Sequence, residues 1–152
     1  MVHARNKGAN GEREVVKLLN GIIERVLSSQ EWDIGIIETA RKCIQRNQNQ
    51  SAVGGSDLCG VFGLAFEVKR CEQLHIEMWW RQTTEQAERN NETPVLIYRQ
   101  SHQPWRVITY GHALLPGNRV TKVRMEIEEK DFVVWFYSWV YYKLMSGDLP
   151  RV

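Results

Sequence analysis

Gly54-Gly55-Ser56-Asp57-Leu58-Cys59-Gly60-Val61-Phe62-Gly63-Leu64-Ala65-Phe66-Glu67-Val68-Lys69 is the stretch on which the fold turns. Side chains alternate along an extended chain, so Phe66 and Val68 face one way and Glu67 and Lys69 the other. The glycines around Val61 and Phe62 read as a hairpin connection, making Leu58-Cys59 and residues 64–69 neighbouring strands. Asp57, set beyond a Gly-Gly turn, would then lie beside Glu67. Two carboxylates that close repel one another. A divalent cation removes the repulsion, and magnesium takes one or two carboxylates together with water and phosphate oxygens. Each residue alone also has an ordinary reading: a solvated edge strand for Glu67 and Lys69, and a turn aspartate bonding local N–H groups for Asp57.

The flanking segments build around this stretch. Residues 12–26 have helical periodicity, with Val15, Val16, Leu19, Ile22, Ile23 and Val26 on one face and Asn10 as the N-cap. Glu12 stands one turn ahead of that stripe on the same face, so it aims at the sheet. Glu14, on another face, suits the common role of a first-turn acid. Residues 28–40 are ambiguous and residues 42–48 suit a strand. Ile76, Trp79, Trp80, Thr83 and Ala87 line one side of a helix over residues 75–90. Strands are expected at residues 94–98, 105–110 and 122–127, and a last amphipathic helix runs from near Asp131 to before Gly147. Helix, strands, helix and strands in this order predict a mixed α/β sandwich. No repeat or linker divides the chain, so residues 1–152 read as one domain.

Hydrophobic residues make up 43% and charged residues 25%, as in ordinary globular proteins, and the formal net charge is only +2. The distribution of charge says more. Between Glu38 and Asp57 the only charges are Arg41, Lys42 and Arg46; between Glu92 and Glu126 they are Arg99, Arg106, Arg119, Lys122 and Arg124. Two acid-free stretches suit either a phosphate-binding face or plain solvated surface. Cys43, Cys59 and Cys71 lack metal-ligand spacing and read as reduced thiols, two of them half-buried in strands, which points to the cytoplasm. Residues 1–10 are too polar for a secretory signal, and residues 132–145 are too short and interrupted to span a bilayer.

Lys7-Gly8 with Glu12-Arg13-Glu14, then Gly55-Ser56-Asp57-Leu58, then Phe66-Glu67-Val68-Lys69 resemble the PD-(D/E)xK nuclease superfamily. The order is most similar to archaeal-type Holliday junction resolvases and their bacteriophage relatives. The resemblance covers roughly the first 100 residues, and Ser56 stands where the superfamily has proline. It implies a restriction-endonuclease-like domain, a central mixed β-sheet flanked by helices, acting as a Mg²⁺- or Mn²⁺-dependent endodeoxyribonuclease in the cytoplasm of a host cell. Asp57 and Glu67 would hold the metal with the backbone carbonyl of Val68, and Glu12 would join directly or through water. Lys69 would position water and stabilise phosphate charge. Gln82, on the following helix, matches a glutamine often placed near the active centre. Arg5, Lys7, Arg13, Arg41, Lys42, Arg46 and Ser56 are candidates for DNA phosphate contacts.

Branched-DNA cleavage, another nuclease activity on the same fold (restriction-type, repair or nicking) and a non-catalytic DNA-binding module all fit the motif. The aromatic helix after Asp131 has an apolar surface wider than one core contact needs, which predicts a homodimer; the same helix could simply cover its own sheet.

Overall fold

The computed structural model describes residues 2–48 and 56–147, with the backbone alone at residues 2–6 and 39. Gly54 and Gly55, expected to form the turn before Asp57, lie outside the described residues, as does the side chain of Arg5. The elements in chain order are α1 (Val2–Ser29), α2 (Ile34–Ala40), β1 (Gln45–Arg46), β2 (Leu58–Cys59), β3 (Leu64–Arg70), α3 (Ile76–Arg89), β4 (Thr93–Arg99), β5 (Arg106–Leu115), β6 (Arg119–Glu128) and α4 (Glu129–Met145).

A four-stranded sheet runs in the order β3-β4-β5-β6, with β3 and β4 parallel and the remaining pairs antiparallel. The parallel pair needs a crossover, and α3 supplies it. On one face α1 and α4 enclose the main core. Val15, Leu19, Ile22, Ile23, Val26 and Leu27 of α1 are each at most 1% exposed, as their helical spacing requires. Phe132, Phe136, Val140 and Leu144 form the buried stripe of α4. Between these helices the Phe66 ring meets Phe132 and Phe136 edge-on, at 6.3 Å to each centroid. On the other face α3 packs Trp79 and Trp80 against Leu96, Tyr98 and Ile108. The result is a mixed α/β domain of restriction-endonuclease-like architecture.

The chain departs from the sequence reading in several places. The first helix begins before Asn10, because Ala4, Arg5, Lys7 and Ala9 are good helix formers. Asn10 is therefore internal, and its Oδ1 accepts from Arg13 Nη1 at 2.9 Å instead of capping. The expected β2–β3 hairpin ladder is absent: β2 pairs with β1, placing Arg46 opposite Leu58 and Gln45 opposite Cys59. Gly60, at φ +80°, makes this possible. A Cβ there would meet the Cys43 carbonyl oxygen at 2.1 Å, so only glycine lets the exit of β2 pass that close to the approach of β1. Of the three free cysteines only Cys59 lies in a strand, and it is exposed; Cys43 is buried at a bend and Cys71 follows β3. Among the described residues no helix is long and apolar enough to cross a membrane.

One polar side chain ties the small β1–β2 ribbon to the core. Asn20, 8% exposed within the apolar face of α1, donates through Nδ2 to the Ile44 carbonyl at 2.9 Å and accepts the Ile44 N–H at 3.1 Å. Asn20→Leu keeps the volume but leaves both backbone groups of Ile44 unpaired. The variant should lose about 2–4 kcal/mol of stability in urea titration, against well under about 1 kcal/mol for Lys42→Ala at the exposed surface.

Candidate active site

Asp57 occupies the outer edge of β3, along which no strand ladder runs among the described residues. Its N–H donates to the Phe66 carbonyl at 2.9 Å, and its own carbonyl accepts the Asn47 N–H at 2.8 Å. Its carboxylate Oδ2 accepts the Val68 N–H at 2.7 Å. The sheet edge thus receives one aspartate where a ladder would otherwise stand. The side chain is buried, at 7% exposed. Burial first, then the negative charge of Glu67, with a further push from Glu12, raise the Asp57 carboxyl to about 7; the Val68 N–H and the Lys69 ammonium act the other way. The carboxylate groups of α1, β3 and the Asp57 segment therefore share one electrostatic neighbourhood.

Glu67 and Lys69 project from the same side of β3, and Glu67 Oε1 lies 2.5 Å from Lys69 Nζ. Burial draws the Lys69 ammonium down, but Glu67 and Asp57 outweigh it and hold the pKa above its ordinary value. Glu12 is turned to Arg46, whose Nε donates to Glu12 Oε2 at 2.5 Å. Gly11, beside it, brings α1 against the end of β3, where a Cβ would lie 3.0 Å from the Arg70 Cβ.

These donors suit a hard cation. The Asp57 carboxyl feels the charge of Glu67, and the Val68 carbonyl opens on the same edge as its N–H, toward Asp57. Oxygen donors in this number, completed by water, match the habit of Mg²⁺ or Mn²⁺. Among the described residues no group of three or more His, Cys, Asp or Glu side chains is gathered closely enough to hold a metal ion. The fit is therefore to Asp57 and Glu67, with Glu12 held off by Arg46.

The remaining sequence candidates are dispersed. Gln82 is exposed on α3, while its neighbour Gln86 has a buried Nε2 without a hydrogen-bond partner. Ser56 Oγ donates to the Leu58 carbonyl at 3.1 Å. Lys7 is paired with Glu72, just past the end of β3. Arg13, Arg41, Lys42 and Arg46 do come together, along an open groove of about 810 Å³ between α1 and residues 41–48. Within it Arg41 pairs with Glu24 at 2.7 Å.

Sequence reasoning missed Lys17, which lines the same groove from the turn after Arg13. Glu14, read from the sequence as a first-turn acid, is internal because α1 begins at Val2; it accepts from Arg70 at 2.9 Å and from Arg99 at 2.5 Å and so clamps α1 to the ends of β3 and β4. Helical spacing four residues from Arg13 could have found Lys17. Nothing local announces the pairing of Glu14 across the fold.

An edge strand bearing Glu67 and Lys69, with an aspartate buried against it in a restriction-endonuclease-like sheet, has the layout that the PD-(D/E)xK resemblance implies. The profile of the family described as "Phage putative PDDEXK endonuclease" matches residues 3–144, and the chain belongs to that family. Comparison with curated proteins and with solved structures yields no match.

The raised Asp57 pKa sets a pH dependence. Folded Asp57 keeps its proton up to about pH 7, whereas the unfolded chain releases it near 3.8, so the native state binds the extra proton between those values. Stability in chelator should accordingly fall as pH rises from 4 through 7, by about 2–4 kcal/mol. Asp57→Asn should flatten that decline in thermal melts at pH 5 and pH 8. A wild-type melting temperature that rises across this window would contradict the assignment.

Proposed function

We propose that this chain is a metal-dependent DNA endonuclease that hydrolyses phosphodiester bonds with Mg²⁺ or Mn²⁺ and prefers branched DNA such as a four-way junction. The observation that carries the reading is Asp57: a carboxylate buried beside Glu67 is costly at neutral pH unless a cation accompanies it. Asp57, Glu67 and the Val68 carbonyl would hold the ion. When bound, it supplies a Lewis acid and a more acidic water.

The protein's own groups do the rest. The Val68 N–H fixes the Asp57 carboxylate, so the ligand does not have to be ordered at the moment of reaction. Lys69 keeps its proton, which suits it to neutralising charge that develops on the phosphate and not to acting as a base. Exchange of Arg46 from Glu12 to a phosphate would free a third carboxylate for the centre as the substrate arrives. Arg13, Lys17, Arg41 and Lys42 continue the positive groove from that point and would carry the backbone. Gln82, exposed on α3, would meet the bound strand. Preference for a junction rests on the order of motifs.

Cleavage of sequence-matched linear, forked and four-way-junction DNA tests the reading. The junction should be cut fastest in Mg²⁺ or Mn²⁺, little in Ca²⁺ and not at all in chelator. Asp57→Asn, Glu67→Gln and Lys69→Met should each lower turnover at least about a hundredfold while DNA affinity persists. Undiminished cutting in chelator would remove the metal. Cutting of linear duplex at one defined sequence would favour a restriction-type enzyme.

A homodimer follows from the same reading, because symmetric cutting of a junction sets two centres against two strands. Val134, Tyr142 and Met145 of α4 are 66%, 69% and 64% exposed and offer apolar surface for a second copy. Light scattering should give twice the chain mass for the wild type and a monomer for Val134→Lys/Tyr142→Lys. Trp139 is a poorer probe, because its Nε1 donates to the Phe62 carbonyl inside the fold. A wild-type monomer would end the dimer proposal.

A further inference from the structure

The β5–β6 hairpin is longer than the sheet it belongs to. β4 pairs with β5 only from Tyr98↔Arg106 to Val95↔Thr109, while β5 and β6 stay paired from Arg106↔Glu128 to Leu115↔Arg119. Six cross-strand pairs, from Tyr110↔Arg124 outward, therefore stand beyond the sheet as a two-stranded ribbon. At about 3.3 Å per residue it projects about 20 Å. Its turn is tight, with Gly117 and Asn118 at φ +76° and +58°, as short hairpin connections require.

The chemistry of this arm is one-sided. Residues 110–124 carry Arg119, Lys122 and Arg124 and no carboxylate. Near the tip Leu114 and Val120, directly opposite each other, are 73% and 60% exposed. Tyr110, Arg124, His112, Lys122, Leu114 and Val120 share one face of the ribbon, because paired residues point the same way and successive residues alternate. Arg124 lies over the Trp80 ring and pairs with Glu77, which identifies this as the α3 side. Glu67 pairs with Leu96 and Leu96 with Ile108, so Glu67 and Lys69 belong to that same side of the sheet.

We infer that the β5–β6 ribbon is an arm that enters the major groove of duplex DNA held at the active centre. This rests on the nuclease reading above and adds a second contact surface to it. A B-form major groove, about 12 Å wide and 8.5 Å deep, admits a two-stranded β-ribbon. Lys122, on the face shared with Leu114 and Val120, and Arg119, on the opposite face beside the turn, reach the two phosphate walls from the two faces of the ribbon, and Leu114 and Val120 meet apolar base edges such as the thymine methyl. The tip lies about 20 Å along the strand direction from the level of Glu67, less than the 34 Å of one duplex turn, so arm and centre can engage one molecule.

Fluorescence anisotropy with a blunt 24-base-pair DNA duplex in chelator separates binding from cleavage. Arg119→Glu/Lys122→Glu should weaken binding about tenfold or more and reduce the salt slope by about 2, since each phosphate contact contributes about 0.9. Leu114→Ser/Val120→Ser should weaken binding several-fold with the salt slope unchanged. Melting temperatures near the wild type would show that both variants fold; if either does not, Leu114→Thr/Val120→Thr and Arg119→Gln/Lys122→Gln replace them with smaller perturbations. Wild-type affinity in both folded variants would overturn the proposal, as would loss of a dimer in light scattering with DNA affinity retained, which would make the arm a contact between copies. Failure of the nuclease reading looks different: duplex binding that depends on the arm, with no cleavage of any DNA in Mg²⁺ or Mn²⁺.

Discussion

Asp57 is bound to the edge of β3 by two hydrogen bonds, one from its backbone N–H to Phe66 and one from the Val68 N–H to its carboxylate. The candidate centre depends on this pairing. A full strand in the same place would satisfy the edge with backbone groups and leave no carboxylate there. One aspartate satisfies it with a side-chain carboxyl, which then lies in the electrostatic reach of Glu67. The β1–β2 ribbon carries the segment into place, Asn20 ties that ribbon to α1 through Ile44, and Gly60 allows the turn that returns the chain to β3. Backbone satisfaction and site assembly are here the same event.

The arrangement opposes stability. Burial penalises the charged form of Asp57, and Glu67 and Glu12 add repulsion. Partial compensation comes from cations: Lys69 stands on Glu67 and Arg46 on Glu12. Both cations are side chains that a phosphate backbone could also attract. The stability that the centre gives up is supplied elsewhere, by the dense contact of Phe66 with Phe132 and Phe136 and the fully buried stripe of α1.

Positive charge is distributed on two surfaces that the modest net charge conceals. One is the groove between α1 and residues 41–48, which runs to Glu12 through Arg46. The other is the ribbon, whose cations follow from a segment with no acid between Glu92 and Glu126. Much of the basic inventory is internally paired, as with Arg41 and Glu24, Arg70 and Arg99 with Glu14, and Lys7 with Glu72. Pairing also reaches into both surfaces, with Arg41 on Glu24 and Arg46 on Glu12 in the groove and Arg124 on Glu77 at the base of the ribbon.

By itself the sequence determined most of the elements, though not the helix at Ile34–Ala40 or the early start of α1, because periodicity is local: the stripes of α1 and α3, the alternation of Phe66-Glu67-Val68-Lys69, and the apolar runs of β4 and β5 each specify a helix or strand without reference to distant residues. It also put the chemistry on offer in view, since Glu12, Asp57, Glu67 and Lys69 stand in an order that resembles the PD-(D/E)xK superfamily, to which the matching family belongs. Only the tertiary structure decided the partners. Whether β2 pairs with β1 or β3 depends on which edge is open and on how closely Gly60 can pass Cys43, and neither is encoded in a spacing. That Arg46 meets Glu12 across 34 positions, that Glu14 leaves the role of a helix-end acid to bridge Arg70 and Arg99, and that β5 and β6 outrun the sheet are consequences of packing. Side-chain pairing at long range is set by where rigid elements stop, and each stops where a third element fills or leaves the space.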